Sequence, residues 1–133
     1  MNLLVNIDVD DLEKATTFYC QGLGLHVGRR FDGWRELIGA SSPIYLLPKK
    51  AGTRTSPVTD ETRDYARHWT PVHLDFVVDD IETAKQRALA AGATLERDVS
   101  SHAYGKLALL ADPFGNGFCL LQFTGRGYDE IVT

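Results

Sequence analysis

Few side chains in this sequence are equipped for chemistry, and their positions narrow what that chemistry is. The chain has four histidines and two cysteines, Cys20 and Cys119. His73 stands in an apolar run, Val72-His73-Leu74-Asp75-Phe76-Val77. An imidazole titrates near neutrality, so His73 is the candidate catalytic residue, as a weak general base or as a hydrogen-bond partner for a ligand. Cys119 becomes a nucleophile if His73 stands beside it, although the sequence shows no third group to orient the pair. The plainer reading of the two is a hydrogen-bonded core histidine and a small buried hydrophobe. Trp34, Tyr45, Trp69, His102 and Tyr104 supply aromatic surface of the kind that lines concave ligand sites. Trp69 and Tyr104 lie in or beside segments of loop character, from which side chains reach over a pocket. Arg35 and Glu36 are strand neighbours that face opposite ways, so one of them points toward any site on that strand.

The elements that must position these residues form a repeat. Val9-Asp10-Asp11-Leu12-Glu13-Lys14-Ala15 recurs 69 residues later as Val78-Asp79-Asp80-Ile81-Glu82-Thr83-Ala84. Each copy follows a strand-like run and opens a helix, with Asp10 and Asp79 as expected N-caps and Glu13 and Glu82 completing capping boxes. Leu12, Ala15 and Tyr19 share one face of the first helix, with Phe18 beside them; Ile81, Ala84, Ala88 and Ala91 share one face of the second. Three strand-like segments follow each helix: 25–31, 34–38 and 44–47, then 94–99, 106–110 and 118–123. The unit is β-α-β-β-β, used twice, with module 1 at 1–48 and module 2 at 71–124. Residues 49–70 read as a linker, either a mobile loop over a site or a connection around a short helix within 60–69. The tail, 125–133, is expected to pack loosely. Asp112-Pro113-Phe114-Gly115-Asn116-Gly117 is a turn ahead of the last strand. Gly115 and Gly117 precede a strand and not a helix, so they do not form a phosphate cradle.

Length and composition set the outer limits. The chain has 133 residues, 44% of them hydrophobic, 24% charged and 10% aromatic, which fits one globular domain. A net charge of −4 argues against nucleic acid as a partner. No apolar run approaches the roughly 20 residues of a membrane span, and Asp8, Asp10 and Asp11 interrupt any signal-peptide pattern. Two free thiols and no disulfide framework point to a cytoplasmic protein.

Asp11-Leu12-Glu13-Lys14-Ala15-Thr16-Thr17-Phe18-Tyr19 with Leu23-Gly24 resembles the opening of vicinal oxygen chelate proteins. That superfamily includes glyoxalase I, extradiol dioxygenases, and fosfomycin- and bleomycin-resistance proteins. His73 at the start of a strand, the capping segment from Asp79, Ala91-Gly92-Ala93 and the Asp112-to-Asn116 turn carry the resemblance to about residue 123. It implies an α+β fold, two βαβββ modules whose curled mixed sheet encloses a central cleft, and a homodimer. It also implies metal-ligand positions on the first and last strand of each module, which here fall on Leu4, Tyr45, His73 and Cys119. Leucine cannot coordinate and neutral tyrosine is a poor ligand, so no metal and no other cofactor is expected.

The first functional reading is therefore a metal-free binding protein. It holds an aromatic or cationic small molecule against Tyr45, His73, Cys119, Trp34, Trp69, His102 and Tyr104. The alternative is a divalent-metal-dependent lyase, isomerase or dioxygenase, or a metal-free enzyme using His73. An interaction scaffold with a vestigial cleft is a third.

Overall fold

The computed structural model describes residues 1–133. Module 1 runs β1 (Val5–Val9), α1 (Leu12–Leu23), β2 (His26–Phe31), β3 (Trp34–Ile38) and β4 (Ile44–Pro48). Module 2 runs β5 (Leu74–Val77), α2 (Ile81–Ala90), β6 (Thr94–His102), β7 (Gly105–Ala111) and β8 (Gly117–Phe123). Each module folds into a four-stranded mixed sheet, in the orders β1-β4-β3-β2 and β5-β8-β7-β6. The first strand of each pairs parallel with the last, and the other pairings are antiparallel. The repeat read from the capping segments is thus a repeat of topology. Neither helix is long and apolar enough to cross a membrane.

Both helices start one residue later than the capping pattern predicts. Asp11 and Asp80 are the N-caps, with side chains accepting from the backbone N–H groups of Lys14 and Thr83. Glu13 and Glu82 therefore sit at the second helical position, where a carboxylate favours the helix dipole but closes no capping box. Helix α1 ends at Gly24, whose left-handed φ of 74° frees its N–H to reach the last carbonyls.

One core serves both modules. Val9, Phe18, Tyr19, Leu37, Ile44 and Leu46 join Ile81, Leu110, Phe114, Phe118 and Leu120 in one buried cluster. The helices come close enough that a Cβ on Gly22 would stand 3.0 Å from that of Ala91. Strand alternation then sets the opposite, open face of each sheet. In the first sheet this face carries Asn6, Glu36 and Tyr45, which are register partners across β1, β4 and β3. In the second it carries the paired residues Asp75 and Cys119, and Val77 and Leu121. Arg35 turns to the helix side, where it meets Glu13 at 2.5 Å, so Glu36 is the neighbour that faces the open side.

The linker contains no helix. Residues 52–63 double back as a small antiparallel hairpin, closed by bonds between Gly52 and Arg63 and between Thr55 and Glu61. Arg63 pins it to Asp8 of β1 at 2.8 Å, and Arg67 grips Glu96 of β6 through two bonds of 2.7 and 2.9 Å. Of the two readings of this segment, the short helix within 60–69 is not formed; Arg63 and Arg67 instead tie the segment to β1 and β6. The tail is exposed apart from Gly127. Residues Gly127–Glu130 form a 3-10 turn that sets the Tyr128 ring edge-on to Phe123, with centroids 4.9 Å apart.

Candidate functional site

The residues singled out in the sequence fall into separate groups. Trp34 and Tyr45 lie together on the open face of the first sheet. Trp34 stacks on Phe31 at 3.8 Å, with Tyr45 5.7 Å from Trp34. The Tyr45 hydroxyl donates to Glu36 Oε2 and accepts from Arg29 Nη2, each at 3.0 Å. Arg29 completes the network with bonds from its backbone N–H and its guanidinium to the Glu36 carboxylate. A register shift between Val27 and Arg30 releases the Arg29 N–H from the ladder for this purpose. The side-chain and backbone donors of Arg29, joined by Tyr45, hold the Glu36 pKa down at about 2. Gly28 leaves room for this carboxylate, since a Cβ there would stand 2.5 Å from Glu36 Oε1.

His73 and Cys119 meet on the second sheet, joined by a residue that sequence reasoning missed. Asp75 is the register partner of Cys119 across the parallel β5/β8 pair. His73 Nε2 lies 3.2 Å from Asp75 Oδ1, and the donor atoms of all three lie within 4.8 Å of one another. The signal was present in the sequence: His73 and Asp75 are two apart on a strand and so share a face. Burial first, then the charge and hydrogen bond of Asp75, push the Cys119 thiol up to about 11. The free thiol is therefore a donor to Asp75 and not a ready nucleophile.

Trp69 and His73 also belong to the wall of a cavity of about 1120 Å3 between the modules and beneath the linker. Leu4 lines it too, together with residues not anticipated: Tyr19, Tyr65, Phe76, Phe114 and Phe118 on the apolar side, and Asp8, Glu61, Arg63, Asp64 and His68 on the polar side. Trp69 is 82% exposed at its edge. Trp34, Tyr45, Cys119, His102 and Tyr104 do not line the cavity. His102 and Tyr104 instead stack on each other at 5.2 Å beside the β6–β7 turn, with Tyr104 5.3 Å from Tyr128.

The floor of the cavity is fixed by Asp112, which is buried. Its carboxylate accepts from the Tyr19 hydroxyl at 2.5 Å, from the N–H groups of Phe114 and Asn116, and from Asn116 Nδ2. Burial, and then Asp112, raise the Tyr19 pKa well above its ordinary value, so its hydroxyl stays protonated. Gly115, with φ of 87°, packs against the carbonyl of Ala66 in the linker. The glycine of this turn is thus there for turn geometry and close backbone approach.

A four-position chelate across the two modules does not fit these residues. Leu4 has no donor atom, and the Tyr45 hydroxyl is engaged by Glu36 and Arg29. The profile of the glyoxalase-like domain family matches residues 4–121. The anthracycline biosynthesis protein DauV of Streptomyces sp. (strain C5) is 30% identical over 120 residues, covering 89% of this chain and 40% of that protein. This chain spans about two fifths of the length of that relative and of the similar Streptomyces peucetius protein DnrV. Among solved structures, a glyoxalase/bleomycin resistance protein/dioxygenase family enzyme from Burkholderia phytofirmans PsJN aligns with a TM-score of 0.71 at 25% identity, over 91% of this chain and 97% of that one. The fosfomycin resistance protein FosX from Listeria monocytogenes shares the fold, with a TM-score of 0.72 at 16% identity over 98% and 96% of the two chains. With its doubled βαβββ unit and the family profile spanning both copies, the chain belongs to the glyoxalase-like domain family of the vicinal oxygen chelate superfamily.

Proposed function

We propose that this protein binds an aromatic, cationic small molecule in the cavity between its modules, with no ion bridging protein and ligand. The observation that carries the reading is the make-up of that cavity. Tyr19, Tyr65, Phe76, Phe114, Phe118 and Trp69 offer aromatic surface, while Asp8, Glu61 and Asp64 outnumber the single arginine, Arg63. Arg63 is itself paired with Asp8, so the polar side carries excess negative charge. Planar rings gain from stacking and burial there, and a ligand ammonium gains from the carboxylates. The role named for DauV, anthracycline biosynthesis, concerns small molecules and supports the reading. We also infer self-association through the open sheet faces, where Val77 is 60% and Phe123 38% exposed.

The test is titration of the full chain with a planar aromatic amine and with its uncharged analogue, read by calorimetry and tryptophan fluorescence. The amine binds saturably and at least about tenfold more tightly than the analogue. If neither gives a saturable signal, the reading fails; equal affinity for both removes the cationic part. Sedimentation of the purified chain decides self-association, and a monomer at all concentrations removes it.

A further inference from the structure

The linker hairpin is held to the molecule unlike the segment that follows it. Inside the hairpin, Gly52 N–H donates to the Arg63 carbonyl and Arg63 N–H to the Thr53 carbonyl, each at 2.8 Å. Its base is closed by the Tyr65 hydroxyl, which donates to the Lys49 carbonyl at 2.6 Å. To the two sheets it makes a single bond, from Arg63 Nε to Asp8 Oδ2 at 2.8 Å. Residues 50–62 are exposed apart from the half-buried Ser56, so no apolar burial holds the hairpin down. Beyond it the chain is anchored several times over. Arg67 binds Glu96 twice and reaches the Gly115 carbonyl, which also accepts from the His68 N–H.

We propose that residues 52–63 are a strap over the cavity, hinged at the Tyr65–Lys49 base and latched by Arg63 on Asp8, and that an organic cation bound in the cavity releases the latch. The release by ligand rests on the cavity reading above; the latch itself does not.

Three observations support it. The first is the way Arg63 is divided across the joint. Its Nη1 donates to the Arg54 carbonyl at 2.6 Å and to Thr53 Oγ1 at 3.2 Å, so the guanidinium travels with the hairpin and only Nε crosses to β1. The second is the weakness of the closure. Asp8 is 38% and Arg63 17% exposed at the side chain, and a solvent-accessible pair shifts an equilibrium by about fivefold at most. The third is position, since Asp8, Thr55, Glu61, Thr62 and Arg63 all line the cavity. Asp8 carries one charge, and Arg63 engages only its Oδ2. An ammonium taken up at Oδ1 puts a second cation beside Arg63 and weakens its hold. By reciprocity, a strap that has let go of Asp8 strengthens the binding of the cation.

The experiment uses the full chain with spin labels on Val58→Cys at the hairpin tip and Gln86→Cys on α2, both exposed positions, in a Cys20→Ser background. Pulsed electron paramagnetic resonance reads the distance between the labels. Expected is one dominant distance in the parent at low salt. Without any ligand, Asp8→Asn and Arg63→Gln each raise the population at other distances about fivefold, and Asp10→Asn leaves it unchanged. The parent in about 1 M sodium chloride shifts in the same way, which keeps the latch testable even if a variant fails to fold. A saturating planar aromatic amine reproduces the shift in the parent, and its uncharged analogue does not. Distances unchanged by the latch variants and by salt overturn the latch. An amine that binds by calorimetry yet leaves the distances unchanged overturns release by ligand. An amine that does not bind overturns the cavity reading and release by ligand with it, while the ligand-free distances still decide the latch.

Discussion

The Tyr45 hydroxyl donates to the Glu36 carboxylate at 3.0 Å, and Arg29 clamps the same carboxylate from above. This bond explains why the module 1 face is closed to coordination chemistry, and it has a consequence in acid. The Glu36 pKa is depressed to about 2 in the folded chain, below the ordinary 4.5. The folded state therefore binds fewer protons than the unfolded chain between those values. The stabilisation is fully present above about pH 4.5 and is lost as pH falls toward 2. Melting temperatures measured across this range fall more steeply for the parent than for Glu36→Gln. Parallel curves for the two would show that the clamp contributes nothing.

Tyr19→Phe removes a buried hydroxyl bonded to the Asp112 carboxylate. A hydrogen bond to a charged acceptor is worth about 1.5–3 kcal/mol, and the three remaining donors keep Asp112 satisfied. Urea unfolding should give a loss in that range with an unchanged slope.

Gly115→Ala places a Cβ 2.2 Å from the Ala66 carbonyl oxygen at a left-handed φ. Turn and linker cannot both stay where they are. Limited proteolysis should cut within residues 49–70 faster in this variant, and an unchanged cleavage pattern would count against the docking of the linker on the turn.

The carboxylate side of the cavity predicts opposite signs for two substitutions. Asp8→Asn weakens an aromatic amine about tenfold and leaves its uncharged analogue unaffected; Arg63→Gln strengthens the amine by releasing Asp8. Calorimetry with both ligands reads the pair.

The caps divide what the sequence discloses from what it hides. Two adjacent aspartates precede each helix, and spacing alone favours Asp10 and Asp79, because they would complete a capping box. The structure uses Asp11 and Asp80, so their alanine variants should cost about 1 kcal/mol each in thermal or urea unfolding, and those of Asp10 and Asp79 much less. The repeat, the sequence of elements along the chain and the Asp112 turn were legible because each rests on local patterns: periodicity, capping groups and turn residues. The cavity was not. Its wall joins Tyr19 of α1, Tyr65 of the linker and Phe114 of the turn, contacts that depend on how two modules pack. Asp75 went unnoticed beside His73 although a strand period of two joins them, and Glu36 was separable from Arg35 only once Glu13 showed which way the arginine turns.

Two copies of one structural unit have come to treat the same face differently. In the first, the polar groups satisfy one another through Arg29, Glu36 and Tyr45, leaving a self-contained surface. In the second, an imidazole, a carboxylate and a thiol stand together with no basic clamp. The two faces accordingly offer an approaching molecule different things: a closed ion network on the first, a half-exposed imidazole and carboxylate on the second.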